Sequence, residues 1–260
     1  MDRSRLGGAC AGLLTFAGPA LAADVTVDGH KVAYRAWGAG EKTLVLISGL
    51  GDGAETFAQV GPALAKDGWR VIAYDRAGYG GSPTVSGRHD AVRAEAELKG
   101  LLAALEIRRP VVLLGHSVGG IYASYFTARN PGLVSGLILE ETRPTGFTAA
   151  CKARLRFGCE IPGLLKLALP GGGRQEAEDI ALSEQEEADA GGGQTPTLIL
   201  TRKNTGQGGF DGVWLAQQAK LTDRWPNATL RAAPKGGHYV HQDARDWFVQ
   251  QVGAFLASPP

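Results

Sequence analysis

The sequence predicts an α/β fold with a doubly wound, mostly parallel sheet and an inserted helical cap. Short apolar runs alternate along the chain with longer segments of helical pattern, the order expected when helices connect parallel strands. Some of these runs, such as Val111 to Leu114, contain no polar residue, which suits strands buried on both faces of a sheet. A length of 260 residues with an apolar share of 44% suits one sizeable domain.

The elements in the first half of the chain begin with a hairpin. Val25 to Val27 and His30 to Trp37 form its strands, and the pair Asp28-Gly29 supplies the positive φ angles of the turn. Strands and helices then alternate. We expect strands at 43–47, 70–74, 111–114 and 136–139, with helices at about 55–66, 90–105 and 118–129 between them.

This alternation stops between about residues 143 and 194. The stretch contains three prolines, two runs of glycine and an acidic amphipathic segment from Gln175 to Ala190. We interpret it as a largely helical cap inserted into a single domain of residues 23–260. Sheet signals then resume, with strands expected at 197–201 and 228–232 and helices at about 212–223 and 245–256.

Residues 1–22 have the pattern of a signal peptide. Arg3 and Arg5 provide its positive charge, residues 6–21 its uncharged apolar segment and Ala20-Leu21-Ala22 its cleavage motif. The mature chain is expected to begin near Ala23 and to be exported, either to the periplasm or as a secreted protein. A retained membrane anchor is the alternative. The apolar run is short for a spanning helix, which needs about 20 apolar residues, so we expect no stable membrane insertion after cleavage.

Export also changes what the cysteines indicate. Cleavage removes Cys10 and leaves Cys151 and Cys159, which are close in sequence and can form a disulfide in an oxidising compartment. Two buried thiols are the alternative. Two cysteines without a nearby histidine make an incomplete ligand set, so no metal site is expected. The net charge of +1 does not indicate a nucleic acid as a partner.

The segment Gly115-His116-Ser117-Val118-Gly119 follows an apolar strand and precedes a helical pattern. Glycines on both sides of Ser117 suit a sharp turn at which strand and helix lie too close for larger side chains. The Ser117 hydroxyl is then a candidate nucleophile, and the amide of Val118 at the helix start can stabilise an oxyanion. A serine without a function in a glycine-rich turn is the alternative.

A nucleophilic serine needs a base, and two histidines follow Ser117. His238 comes just after the last expected strand, which places it at the carboxyl edge of the sheet, where ligands bind in such folds. His241 lies three residues further on, towards the last helix. We therefore predict that His238 is the base. His116 is adjacent to Ser117, but its side chain is expected to point in another direction.

Four motifs occur in order along the chain: Ser48-Gly49-Leu50, Asp75-Arg76-x-Gly78-Tyr79-Gly80-x-Ser82, Gly115-His116-Ser117-Val118-Gly119-Gly120 and Gly237-His238-Tyr239. Together they resemble the α/β-hydrolase fold family, in its branch of capped serine esterases and epoxide-hydrolase-like enzymes. The resemblance covers nearly all of the chain after Val25. It implies that Ser117 is the nucleophile and His238 the base, and that the amides of Leu50 and Val118 form the oxyanion hole.

Two positions depart from the pattern of that family. Ser48 stands where related proteins usually have histidine, so the support of the oxyanion loop is changed. The usual acid position, after the strand 197–201, has no carboxylate before Asp211. A minority of relatives carry the acid one strand earlier. By strand length that position matches Glu141, with its neighbour Glu140 as the alternative acid and Asp211 as a third candidate.

The resemblance implies an exported serine hydrolase that cleaves a carboxylic ester, or a thioester or lactone, by a Ser117-His238-Glu141 triad through an acyl-enzyme. A small-molecule ester is the implied substrate, and neither a metal nor an organic cofactor is required. A non-catalytic small-molecule binding or sensing module on the same fold is the alternative. The sequence leaves the substrate identity, the acyl-chain length and the oligomeric state open.

Overall fold

A computed structural model describes residues 21–155, 159–203 and 209–258, and within these ranges the chain forms one sheet of eight strands. The strands are β1 (Leu21–Val27), β2 (His30–Trp37), β3 (Lys42–Ile47), β4 (Trp69–Tyr74), β5 (Val111–His116), β6 (Val134–Glu140), β7 (Thr197–Thr201) and β8 (Ala228–Ala232). They lie in the order β1-β2-β4-β3-β5-β6-β7-β8. The pairs β1-β2 and β2-β4 are antiparallel, and all other neighbours are parallel. The predicted fold class is confirmed.

Helices cover both faces of this sheet. They are α1 (Gly61–Leu64), α2 (Ala91–Ala104), α3 (Val118–Arg129), α4 (Phe147–Arg154), α5 (Gly163–Ala168), α6 (Gly171–Ala190), α7 (Gly209–Ala219), α8 (Leu221–Arg224), α9 (Val240–Asp243) and α10 (Arg245–Ala257), with 3₁₀ turns at Ala54–Phe57 and Pro131–Leu133. On one face α2 and α3 bury side chains such as Leu98 and Phe126 against the strands. On the other face α1 and α10 bury Leu64 and Phe248. The central strands are therefore apolar on both sides, as their sequences predicted.

Local sequence signals explain where α2 and α1 begin, and the start of α1 differs from the prediction. The side chain of Asp90 accepts a hydrogen bond from the Arg93 amide at 2.9 Å and so caps the start of α2. The single helix predicted at 55–66 is wrong, because that segment forms a 3₁₀ turn and then the separate short helix α1. Pro62 has no amide hydrogen to continue a helix from the preceding turn, so α1 starts anew with the proline in its first turn.

The amino-terminal strand begins inside the predicted signal peptide. Residues 1–20 lie outside the described residues, whereas Leu21 and Ala22 are the first residues of β1 and pair with Ala36 and Arg35 of β2. Cleavage after Ala22 would remove these two exposed residues and leave the rest of the strand in place. Among the described residues, no helix has the length and apolar character needed to cross a membrane.

The segment that connects β6 to β7 carries α4, α5 and α6, the helical cap that the sequence predicted. Helix α6 lies against α2 and α3 of the main domain. Three of its glutamates are buried, and each pairs with an arginine from a different segment of the chain. The pairs are Glu176 with Arg76, Glu184 with Arg143 and Glu187 with Arg224. The cap is thus held by buried ion pairs as well as by apolar contacts.

Cys151 and Cys159 form the disulfide that the sequence predicted. It joins the end of α4 to the chain that leads to α5, and both residues are buried. The bridge packs with Phe147 of α4 and with Val213 and Trp214 of α7 in a small apolar cluster. The disulfide therefore stabilises the part of the cap that lies next to α7.

Loss of this disulfide should destabilise the protein measurably. The two cysteines are 8 residues apart, and a loop of that size gives an expected loss of about 2–3 kcal/mol. For a domain of this size we expect a fall in Tm of roughly 5–10 °C, measured by thermal unfolding with and without reductant. The Cys151→Ser/Cys159→Ser double variant should show the same lower Tm and no response to reductant. An equal response of both proteins to reductant would contradict the prediction.

Candidate active site

Ser117 lies at the turn between β5 and α3, in strained backbone. Its φ and ψ angles are 53° and −120°, a region that residues other than glycine rarely adopt. A Cβ atom on Gly115 would lie 2.4 Å from the carbonyl oxygen of Gly119, and one on Gly119 would lie 2.3 Å from that of Ile47. Both distances are far below contact distance. Glycine is therefore required on each side of Ser117, for the reason that the sequence indicated.

The structure brings Ser117, His238 and Glu141 together in one chain of hydrogen bonds. The Oγ of Ser117 lies 3.0 Å from Nε2 of His238, and Nδ1 of His238 lies 3.2 Å from Oε2 of Glu141. A carboxylate can only accept, so Nδ1 carries the hydrogen and Nε2 is free to accept from the Ser117 hydroxyl. The side chain of His238 is 32% exposed and that of Glu141 is fully buried. The arrangement has the geometry of a nucleophile, a base and an orienting acid.

Arg202 contacts Glu141 directly, a contact that sequence reasoning missed. Its backbone amide donates to Oε1 of Glu141 at 2.8 Å, and its Nη1 donates to Oε2 at 2.9 Å. Arg202 is the first residue after β7, so it occupies the position where related proteins usually carry the acid. Its Nη2 binds Asp211 at 2.8 Å, and Asp211 therefore lies on the far side of the guanidinium from Glu141. The only available signal was a cation at the usual acid position.

Glu140, the alternative acid, contacts a different histidine. Its two carboxylate oxygens lie 2.8 and 3.0 Å from Nδ1 of His241, and one of them also accepts the His241 amide at 2.7 Å. Burial raises the pKa of Glu140, but the charge and hydrogen bonds of His241 outweigh burial and hold it below its usual value. The adjacent residues Glu140 and Glu141, at the end of β6, therefore bind two different histidines, His241 and His238. The Glu140–His241 pair anchors the chain that follows His238.

His116 also supports the loop that carries His238, through a hydrogen bond to its backbone. Its Nε2 lies 3.0 Å from the carbonyl oxygen of His238, an acceptor, so Nε2 must carry a hydrogen. Burial lowers the pKa of His116 to about 4, which keeps the ring neutral at physiological pH. The position of His238 is thus fixed at both its side chain and its backbone.

Within the described residues, His116, Glu140 and His241 form a group whose nitrogen and oxygen atoms lie within 4.8 Å of one another, close enough to suggest a metal site. Most of these atoms already take part in hydrogen bonds. The carboxylate of Glu140 binds His241, and His116 binds the backbone of His238. The hydrogen bonds explain this cluster as support for the loop that carries His238.

The predicted oxyanion loop lies against the turn at Ser117. A Cβ atom on Gly49 would lie 3.1 Å from Cβ of Ser117, so the two segments are in close contact. The side chain of Ser48 donates to the carbonyl oxygen of Asp52 at 2.6 Å, and Nη1 of Arg76 donates to the carbonyl of Ser48 at 2.8 Å. Arg76 therefore supports the loop in which Ser48 replaces the usual histidine.

A cavity of about 320 Å³ lies over Ser117 and His238. Leu50 and Val118, the two predicted oxyanion-hole residues, border it next to Ser117. Apolar side chains from the cap and from α7 form other parts of the wall; these are Ile161, Ile180, Phe210 and Trp214. Arg143 and Arg202 also border the cavity, but each is paired with a carboxylate. The cavity thus suits an uncharged and largely apolar ligand.

Comparisons with known proteins agree with this fold. A family model described as "alpha/beta hydrolase fold" matches residues 42–156. An uncharacterized protein of Mycobacterium bovis is 34% identical over 148 residues, which are 55% of this chain and 42% of the relative. The chain thus spans less than half the length of that relative. The sn-1-specific diacylglycerol lipase ABHD11 of Mus musculus is 26% identical over 82% of this chain and 80% of its own length. An esterase structure from Exiguobacterium antarcticum has a TM-score of 0.72 at 20% identity, covering 92% of this chain and 100% of the esterase.

The Glu140–His241 pair predicts a defined dependence of stability on pH. Glu140→Gln removes the charge that faces His241, and we expect the free energy of unfolding at pH 6 to fall by about 1–3 kcal/mol. Because the folded-state pKa of Glu140 is lowered, the contribution of its ionised form is present above the unfolded value of about 4.5 and is lost as the pH falls through the folded value. The wild-type and variant proteins should therefore converge in acid.

Denaturant unfolding at a series of pH values measures this difference. Burial lowers the pKa of His241, but Glu140 outweighs burial and raises it, so the contribution of the pair should also decline as the pH rises through that value. Glu160→Gln removes a fully exposed carboxylate of the cap and is the matched control, expected to change little. A loss for Glu140→Gln that is the same at every pH would contradict the prediction.

Proposed function

We propose that this chain, which has the α/β-hydrolase fold, is a serine hydrolase that cleaves a carboxylic ester, a thioester or a lactone. The observation that carries the proposal is the hydrogen-bonded chain from Ser117 through His238 to Glu141 at the base of an apolar cavity. Each atom in that chain has the donor or acceptor character that proton transfer requires.

The proposed reaction proceeds through an acyl-enzyme. Oγ of Ser117 attacks the carbonyl carbon while Nε2 of His238 takes its proton, and Glu141 stabilises the imidazolium that forms. The amides of Leu50 and Val118 donate to the negative oxygen of the tetrahedral intermediate. His238 returns the proton to the leaving group. Water, deprotonated by the same nitrogen, then attacks the acyl-enzyme and releases the acid.

The nucleophile limits the reaction class. Opening of haloalkanes or epoxides on this fold needs a carboxylate that forms an alkyl-enzyme ester, and a serine hydroxyl is a poor substitute. Ser117 occupies the turn at which that carboxylate would have to stand. The proposal is therefore restricted to acyl compounds. A cavity near the lower end of the usual range for small-molecule sites, about 300–1,000 Å³, favours a small ester with an apolar acyl or alcohol group.

Glu141 is the proposed acid because it alone of the three candidates contacts His238. Its backbone φ of 43° is unusual for a glutamate, and a buried residue retains such strain when several contacts fix it. The amide and guanidinium of Arg202 supply those contacts. We propose that Arg202 holds the acid in the position that orients His238.

We also propose that the protein is exported. Residues 1–22 have the signal-peptide pattern, and the disulfide between Cys151 and Cys159 favours an oxidising compartment. The reaction as written uses only side chains and amides of the chain, so it requires no cofactor. The proposed partner is the small-molecule substrate itself.

A fluorophosphonate probe tests the proposal at the nucleophile. We expect labelling of Ser117 and hydrolysis of short p-nitrophenyl esters by the wild-type protein. Ser117→Ala should abolish labelling and lower kcat by about 10³-fold or more, because no other group can form the acyl-enzyme. Ser135→Ala, on the distant end of β6, is the matched control and should retain both properties. If the wild-type protein is neither labelled nor active, the protein is a non-catalytic binding module and the proposal is wrong.

The assignment of the acid is tested by paired glutamine variants. Glu141→Gln should lower kcat by about 10³–10⁴-fold with KM little changed, because the amide favours the wrong tautomer of His238. Glu140→Gln should retain kcat within about tenfold when assayed well below its Tm, since its loss is mainly one of stability. Steady-state kinetics on one ester measure both. An unimpaired Glu141→Gln variant would refute the assignment.

A further inference from the structure

We propose that Glu176 of the cap helix α6 is a positioning residue for the oxyanion hole. Its carboxylate orients Arg76 and Tyr79, and these two side chains fix the peptide groups on either side of Leu50. The inference rests on the proposed hydrolase function. It adds a link between the cap and the chemistry at Ser117: the oxyanion loop takes its working shape only while α6 is docked.

Glu176 makes three hydrogen bonds inside the domain. Its Oε1 accepts from Nε of Arg76 at 2.6 Å, and its Oε2 accepts from Nη2 of Arg76 at 3.0 Å and from the hydroxyl of Tyr79 at 2.6 Å. The glutamate is 2% exposed and the arginine 3%. Burial lowers the pKa of Arg76, but the charge and hydrogen bonds of Glu176 outweigh burial and hold it well above its usual value. The pair is therefore shielded from solvent, and two hydrogen bonds set its orientation.

The other ends of these two side chains hold the oxyanion loop. Nη2 of Arg76 donates to the carbonyl oxygen of Gly49 at 3.1 Å, and its Nη1 donates to the carbonyl of Ser48 at 2.8 Å. The hydroxyl of Tyr79 accepts the amide hydrogen of Gly51 at 3.2 Å. Leu50 thus lies between two peptide groups whose directions are set by side chains that Glu176 holds.

The direction of the Leu50 amide follows from peptide geometry. In a planar trans peptide the N–H points opposite to the C=O of the preceding residue. Because Arg76 draws the carbonyl of Gly49 to its own side, the N–H of Leu50 points away from Arg76. Leu50 borders the cavity together with Ser117 and Val118. An amide held in this direction is pre-oriented for the negative oxygen of the intermediate, which is the condition for strong stabilisation.

Among the three paired glutamates of α6, Glu176 is the one that connects the cap to the oxyanion loop. Glu184 and Glu187, the other two paired glutamates of α6, bind Arg143 and Arg224, and neither pair contacts the loop of residues 48–52. The start of α6 also touches the segment that carries Arg76 and Tyr79. A Cβ atom on Gly172 would lie 2.1 Å from the carbonyl oxygen of Ala77. A displacement of α6 would therefore remove Glu176 from Arg76 and release the carbonyl of Gly49.

Glu176→Gln tests the inference, with Glu187→Gln as the matched control on the same helix. The amide nitrogen of glutamine must face a donor of either Arg76 or Tyr79, so the first variant breaks the arrangement. The readout is binding of a trifluoromethyl ketone that carries the same short alkyl chain as the p-nitrophenyl ester used in the assay. Oγ of Ser117 adds to its carbonyl carbon, the proton passes to His238, and the carbonyl electron pair becomes an alkoxide in the oxyanion hole. Fluorine NMR measures this adduct without any turnover.

We expect Glu176→Gln to weaken adduct formation about 10–100-fold and to lower kcat by a similar factor, with KM within about twofold. Binding of the unfluorinated methyl ketone, which forms no alkoxide, should be unchanged. Glu187→Gln should leave all three measurements within about twofold, although it also replaces a buried carboxyl group that binds an arginine. Equal effects of the two variants, or an effect of Glu176→Gln on KM alone, would overturn the inference.

Tyr79→Phe provides a second test if Glu176→Gln fails to fold. It removes the hydroxyl that binds Gly51 and leaves the pair of Arg76 with Glu176 intact. We expect a smaller loss of adduct, about 3–10-fold, again without a change in KM; an adduct as stable as that of the wild-type protein would contradict the inference. Failure of the proposed function has a different signature, because a wild-type protein that is not hydrolytic shows neither adduct nor turnover.

Discussion

The close approach of backbones around the turn at Ser117 is the constraint on which the rest of the site depends. Cβ atoms on Gly115, Gly119 and Gly120 would lie 2.4, 2.3 and 2.1 Å from their nearest neighbours, which belong to α3, β3 and the end of β6. At Gly115 and Gly119 the close neighbours are backbone atoms, and at Gly120 the close neighbour is the side chain of Thr142, two residues after β6. This packing holds Ser117 at a positive φ and brings Leu50, which follows β3, to the same cavity as its hydroxyl. Glu141, which follows β6, connects to that hydroxyl through His238.

The proposed acid lies one strand earlier than in most α/β-hydrolases, and an arginine occupies the usual acid position. Neighbouring parallel strands lie about 4.8 Å apart, so a carboxylate at the end of either β6 or β7 can reach the loop after β8. Here the carboxylate follows β6, and the amide of Glu141 binds the carbonyl of Leu200 in β7 at 2.8 Å. The position after β7 is then free for Arg202, which binds that carboxylate. Arg202 thus supports the proposed acid from the position that the acid itself usually occupies.

Sequence reasoning was reliable where one local signal determines the outcome. Apolar runs, glycines and strand order predicted the sheet, the turn at Ser117 and the histidine after β8. The choice of Glu141 over Glu140 rested on strand length, and the structure distinguishes them because adjacent side chains point to different histidines. Arg202 and Glu176 were missed because their partners lie 61 and 100 residues away. No local pattern encodes such contacts, and the acidic amphipathic pattern of residues 175–190 does not indicate which partners its carboxylates bind.

That acidic face instead explains why the cap has one position. Burying a carboxylate and an arginine costs most of what their attraction returns, so the three pairs of α6 add little net stability compared with apolar side chains. The three pairs instead determine the position of α6 along its own axis relative to the segments it packs against. Arg76, Arg143 and Arg224 come from three different segments, and a shift of α6 by one turn would leave buried charges without partners, at a cost of about 3–5 kcal/mol for each broken pair. We interpret the pairs as the reason that the cap and the oxyanion loop adopt a single joint arrangement over Ser117.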